Sequence, residues 1–180
     1  MVMNELIKSV RLRINDTDSI GFDSDELLDY LNGGIQWIHR LINKERPELL
    51  AEEEEISESP AVLSKKPIRI LSGPPDLQIR MNGNVSTDSI LPVRIRYVPD
   101  AESVKSGDEF PYYNVFRGFV IEFAAIRAQL RNEFDMSGEA QLLASLESQV
   151  LDIIRSIQNE RADIAPFYPR RIWSGDYGDI

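Results

Sequence analysis

The string Asp16-Thr17-Asp18-Ser19-Ile20-Gly21-Phe22-Asp23 is where this sequence comes nearest to a chemical motif. It opens as a calcium-binding loop does, with acidic residues at the first and third positions and glycine at the sixth, where the chain turns sharply. The fifth position is Ile20, which offers no side-chain oxygen, and the twelfth is Leu27, where a bidentate glutamate is needed. With two donors missing, the string reads as an interhelical loop ending in a helix N-cap. His39 is the only histidine. A general base needs an oriented partner, and the surrounding sequence supplies neither a second histidine nor a cysteine, so His39 reads as a surface or core-edge residue. The run Glu52-Glu53-Glu54-Glu55 offers four carboxylates. Consecutive residues in a strand or loop point both ways, so these do not converge on one ion and read instead as a solvated edge or a rim facing a basic partner. No serine elbow, phosphate-cradling loop or dinucleotide fingerprint occurs. The expectation is a non-enzymatic protein with no catalytic residue, cofactor or metal.

Two further groups point to contacts between proteins. Lys65, Lys66, Arg69, Arg80, Arg94 and Arg96 gather within an otherwise acidic chain. They suit a sheet face that meets an acidic surface of a neighbouring copy, such as Glu52–Glu55, in a head-to-tail contact. Solubilising charge on an amphipathic sheet is the competing explanation. Phe167, Tyr168, Arg170, Arg171 and Trp173 are of the types enriched at interface hot spots. An extended segment of this kind can add to a sheet edge or lie in a groove; it can also fold back on its own helices.

The elements that would position these residues follow from periodicity. Leu6, Ile7, Val10 and Ile14 recur at helical spacing, predicting a helix over 4–14. A second helix begins near Asp23, which forms a capping-box pattern with Glu26. Its stripe is Leu28, Leu31, Ile35, Ile38 and Ile42, widened by Trp37 and Leu41. Gly33-Gly34 inside it marks a close backbone crossing or a kink, and Pro47 ends it. Between 48 and 110, six prolines exclude a long helix. Short runs at 68–71, 77–81 and 93–97 read as strands, the last with Val93, Ile95 and Tyr97 alternating with Arg94 and Arg96. Ser72-Gly73-Pro74-Pro75 and Asn82-Gly83-Asn84 supply turns. Phe116, Phe119, Phe123, Ile126 and Leu130 then mark a third helix. After a break at Asp135-Met136-Ser137, with Ser137 as N-cap, Leu143, Leu146, Val150, Ile153 and Ile157 mark a fourth, so the last two form an antiparallel hairpin.

The expected fold is mainly α with a β insertion. A bundle of about four helices spans 1–162, a small antiparallel sheet is inserted at 48–110 between the second and third helices, and an extended aromatic tail occupies 163–180. Apolar residues make up 42% of the 180, enough for a core. Cysteine is absent, which removes disulfides and thiolate sites and favours the cell interior. No run approaches the roughly 18 apolar residues of a membrane span. The net charge of −10 divides into −8 over residues 1–60, +3 over 61–100 and −5 over 101–180. A tight nucleic-acid binder is usually basic, so specific DNA binding is not expected.

Val10-Arg11-Leu12-Arg13-Ile14-Asn15-Asp16, a short loop, then Phe22-Asp23-Ser24-Asp25-Glu26-Leu27-Leu28-Asp29-Tyr30-Leu31-Asn32 resembles the opening of tailed-bacteriophage head–tail adaptor (connector) proteins. The stretch from Phe119 to Ile157, with Ala124-Ala125 and Arg131-Asn132-Glu133, is similar to their second helical pair. The resemblance implies a virion protein assembled in the bacterial host cytoplasm. It implies a ring, usually of twelve subunits, seated under the portal protein, extending the DNA channel and meeting a downstream tail or stopper protein. An acidic bore would let DNA pass without sticking, because like charge repels phosphate. The larger β-rich middle departs from the shortest members of the family. A different reading is a soluble protein-binding module or regulator that uses the C-terminal segment to recognise a partner. A third, an enzyme using carboxylates and a metal, predicts stabilisation by divalent cations.

Overall fold

The computed structural model describes residues 2–80, 84–132 and 136–157. Among these residues four α-helices account for the helical periodicity: α1 (Met3–Arg13), α2 (Ser24–Glu45), α3 (Arg117–Gln129) and α4 (Met136–Ser156). Ser137 is the second residue of α4, not its cap. Between α2 and α3 in chain order run six strands: β1 (Glu52–Ile56), β2 (Ala61–Val62), β3 (Pro67–Ser72), β4 (Gln78–Ile79), β5 (Asn84–Ser86) and β6 (Val93–Pro99). They form two antiparallel three-stranded sheets, β1-β6-β3 and β2-β5-β4. The single inserted sheet expected from the sequence is therefore corrected to two. Residues 82–83 of the expected turn, Asp135 of the expected break and the segment 163–180 lie outside the described residues.

Local chemistry explains the helix ends. α1 stops because Asn15 takes a left-handed conformation (φ 63°), which asparagine tolerates. The Asp16 amide then donates to the Arg11 carbonyl at 2.9 Å and the Asn15 amide to Leu12 at 3.4 Å, closing a Schellman turn. Asp23 caps α2 by accepting from the Glu26 amide at 2.6 Å. The Glu26 carboxylate does not complete the capping box; it accepts from the Tyr30 hydroxyl at 3.1 Å and from Arg131 at 2.8 Å. Pro47 opens a 3-10 turn, Pro47–Leu50, immediately after α2.

Packing explains where the buried faces differ from the expected stripes. On α2 the buried line runs through Leu27, Leu31, Ile35, Ile38 and Ile42, so Leu27 rather than Leu28 leads it. Gly34 is buried against α3, and a Cβ placed on it would stand 3.1 Å from Val120 Cγ1 and 3.4 Å from the Val120 carbonyl oxygen. That close approach selects small residues opposite. The face of α3 that packs inward is Val120, Ala124 and Ala128, with Phe116 and Phe123, while Phe119 and Ile126 sit at its margin. On α4 the fully buried residues are Val150 and Ile154, with Ile153 at the edge.

Two apolar cores result. The first joins all four helices with Phe110 and Phe116. The second lies between the sheets, where Ile56, Ala61, Val85, Ile95 and Tyr97 meet. Each fully buried Leu, Ile or Phe contributes about 1.5–3 kcal/mol relative to exposure. Asn32 helps hold the connection from β6 onto the bundle. Its amide donates to the Val104 carbonyl at 3.0 Å and accepts from the Val104 amide at 2.9 Å, pairing with backbone as a strand neighbour would.

Candidate functional site

The four glutamates of β1 are consecutive, so they alternate between its two faces. On one face Glu53 and Glu55 stand directly opposite Arg96 and Arg94 of β6, with ion pairs of 3.9 Å and 3.3 Å. On the other, Glu52 receives Lys65 Nζ at 2.7 Å. Glu54 accepts from the Ser64 amide and hydroxyl and from the Tyr97 hydroxyl at 3.1 Å. Burial works against the charge on Glu54, but these three donors outweigh it and hold its carboxyl below the ordinary glutamate value. Lys66 lies 3.9 Å from Asp100, and Arg69 donates to the Asn43 carbonyl at 3.0 Å.

Of the groups the sequence offered for a contact between copies, Glu53 and Glu55 already face Arg96 and Arg94 across one ladder in one subunit. Exposed cross-strand pairs of this kind contribute about 0.2–1 kcal/mol each, and they make a strand of four glutamates compatible with the sheet.

The calcium-like string is also accounted for locally. Asp16 Oδ1 accepts from the amides of Gly21 at 2.8 Å and Ile20 at 3.1 Å, and Oδ2 from Phe22 at 3.3 Å. Arg11 reaches the same carboxylate at 2.7 Å, the Phe22 carbonyl at 2.9 Å and the Ser24 hydroxyl at 3.2 Å. The Gly21 amide is the main cause that keeps the Asp16 carboxyl below the ordinary aspartate value. Arg11 and Asp16 therefore clamp the loop between α1 and α2. Among the described residues, no cluster of three or more histidine and carboxylate side chains is arranged to hold a metal.

His39 lies at the seam between bundle and sheets. Its Nε2 donates to the Pro99 carbonyl at 3.0 Å, which fixes the tautomer, and its Nδ1 accepts from the Tyr112 hydroxyl at 2.8 Å. Burial lowers the basicity of the imidazole, opposed by the Pro99 carbonyl and by Asp100. Burial also pushes the Tyr112 phenol up, so it remains a donor. Both ring nitrogens are occupied, and His39 acts as a rivet joining α2, the end of β6 and the segment before α3. The sequence showed its hydrophobic setting, but its partners are 60 and 73 residues away and leave no local signal.

Beside this rivet opens a cavity of about 720 Å³. Its floor includes Ile42, Leu49, Leu50 and Phe116, and its mouth carries Glu52, Lys65, Asp100, Glu102 and Asp108. No single stretch predicts it, because it forms where the 3-10 turn after α2, β6 and the 100–114 connection converge. Phe167, Tyr168, Arg170, Arg171 and Trp173 lie outside the described residues. Among the described residues of the β region, Ile90, between β5 and β6, is 94% exposed and Val62 of β2 74%. No described helix is long and apolar enough to cross a membrane. No family model matches this sequence, and no curated protein matches it.

Proposed function

We propose that this chain is a non-enzymatic assembly subunit, a head–tail adaptor that forms a ring beneath the portal of a tailed bacteriophage or prophage. The observation that carries the reading is where the family-like segments fall. Residues 10–32 form the end of α1, its Schellman turn, the loop and the start of α2, closed by the Arg11–Asp16 clamp. The stretch 119–157 includes most of α3 and all of α4. Within the segments that carry the resemblance, Arg11 and Asp16 set the α1–α2 turn, and Asn32 docks the connection out of the sheets.

In this reading the bundle is the body of each subunit, and the β module and residues 163–180 supply contacts to neighbours, the portal and the next tail component. The net charge of −10 suits a channel wall that phosphate slides past. The test is to delete the gene from the phage or prophage that encodes it. DNA-filled heads without tails, converted to tailed particles by adding the purified protein, are the expected result. Normal tailed particles from the deletion would overturn the proposal.

A further inference from the structure

The cavity beside His39 has an apolar floor and an acidic mouth. Among its lining residues Glu52, Asp100, Glu102 and Asp108 stand against one cation, Lys65, which Glu52 already holds at 2.7 Å; Lys66, outside the lining, comes within 3.9 Å of Asp100. A matching occupant combines aromatic bulk for the floor with fixed positive charge for the rim, as guanidinium groups provide. This chain carries such a segment: Phe167-Tyr168-Pro169-Arg170-Arg171-Ile172-Trp173.

The chain also leaves the described body near the cavity. Ile157 packs on the helical core, and its carbonyl accepts from Arg46 Nη1 at 2.8 Å. Arg46 directly precedes the 3-10 turn that places Leu49 and Leu50 on the cavity wall. The ten residues from 157 to 167 reach at most about 33–36 Å when extended, as far as a small domain is wide. Pro166 and Pro169 limit the conformational freedom lost on docking.

We propose that residues 167–173 dock in this cavity of their own subunit, aromatic rings toward the Leu49–Phe116 floor and Arg170 and Arg171 toward Asp100 and Glu102. A docked segment is withheld from other partners until it is displaced. The proposal stands independently of the adaptor reading, because it needs only one folded chain.

Trp37 and Trp173 are the two tryptophans, so the full-length Trp37→Phe variant leaves Trp173 as sole reporter. The expected result is blue-shifted emission and acrylamide quenching several-fold weaker than for the same chain unfolded in urea, both independent of protein concentration. Adding Glu102→Lys and Asp100→Asn, two exposed positions, should shift Trp173 to a solvent-like spectrum while circular dichroism stays native. Solvent-like emission before the rim is changed would overturn the proposal, as would protection that ignores the rim changes. Protection that grows with concentration would assign the cavity to the segment of a neighbouring copy and overturn docking within one subunit. If the rim variants lose native dichroism, a synthetic peptide of residues 163–180 carrying Trp173→Phe, and so without a tryptophan of its own, serves instead in excess. It should release Trp173 in the Trp37→Phe chain, and failure to do so counts against the docking.

Discussion

The glycine pair in α2 provides a sharp test of the packing. Replacing glycine by alanine inside a helix gains about 0.8–1.0 kcal/mol of propensity. At Gly33 the new Cβ would meet Phe123 Cε1 at 3.5 Å, an ordinary contact. Gly33→Ala should therefore stabilise the protein by about 0.5–1 kcal/mol. At Gly34 the new Cβ would stand 3.1 Å from Val120 Cγ1, 3.3 Å from Phe123 Cδ1 and 3.4 Å from the Val120 carbonyl oxygen. The side chains can give slightly, but the carbonyl moves only with α3. Overpacking costs about 1–3 kcal/mol, which cancels or exceeds the propensity gain. Gly34→Ala should fall below Gly33→Ala by about 1–3 kcal/mol, and each kcal/mol moves the melting temperature by about 2–4 °C at this chain length. Urea and thermal unfolding followed by circular dichroism would measure both. Equal stability of the two variants, or a more stable Gly34→Ala, would refute the close α2–α3 crossing.

Other substitutions probe separate parts of the structure. His39 is buried with a lowered pKa, so the folded state resists its protonation. Its contribution is complete above the ordinary histidine pKa of about 6.5 and declines as pH falls from there toward the depressed folded value. His39→Phe should flatten that part of the stability–pH profile, and an unchanged slope in pH-resolved urea titrations would reject the assignment. Asn32→Leu leaves the Val104 amide and carbonyl without their partner and should cost about 1–3 kcal/mol, read by chemical denaturation; Asn32→Asp should retain only the bond from the Val104 amide and fall in between. Arg94→Glu, opposite Glu55, should cost less than about 1 kcal/mol because the pair is exposed. Restoration by Glu55→Arg in a double-mutant cycle would show the pairing to be within the subunit, whereas strictly additive effects would argue against it.

How far the fold was legible depended on whether its cause was local. α1, α2 and β6 announce themselves through spacing, and Asp23 through capping chemistry. On α3 the spaced Phe116 and Phe123 are buried as the pattern implies, but bulky Phe119 and Ile126 draw the stripe off the centre, where the close crossing at Gly34 admits Val120, Ala124 and Ala128. Four glutamates define no firm state for β1, because its ladder partner is β6, about forty residues later, where Arg94 and Arg96 stand opposite Glu55 and Glu53. The second sheet escaped notice because β2 and β5 have only two or three residues each, too few for a period, so that β4, legible within 77–81, fell into the one expected sheet. The candidate cavity was invisible for the same reason as the partners of His39: its walls come from distant segments, and only folding brings them together.

The adaptor reading is tested most directly by the mass of the complex formed with the cognate portal ring. Purified protein mixed with that ring and weighed by native mass spectrometry should add roughly 250 kDa, twelve copies of a 20.5 kDa chain. A portal ring that gains no mass at saturating protein would contradict the claim that this chain is built to join a ring.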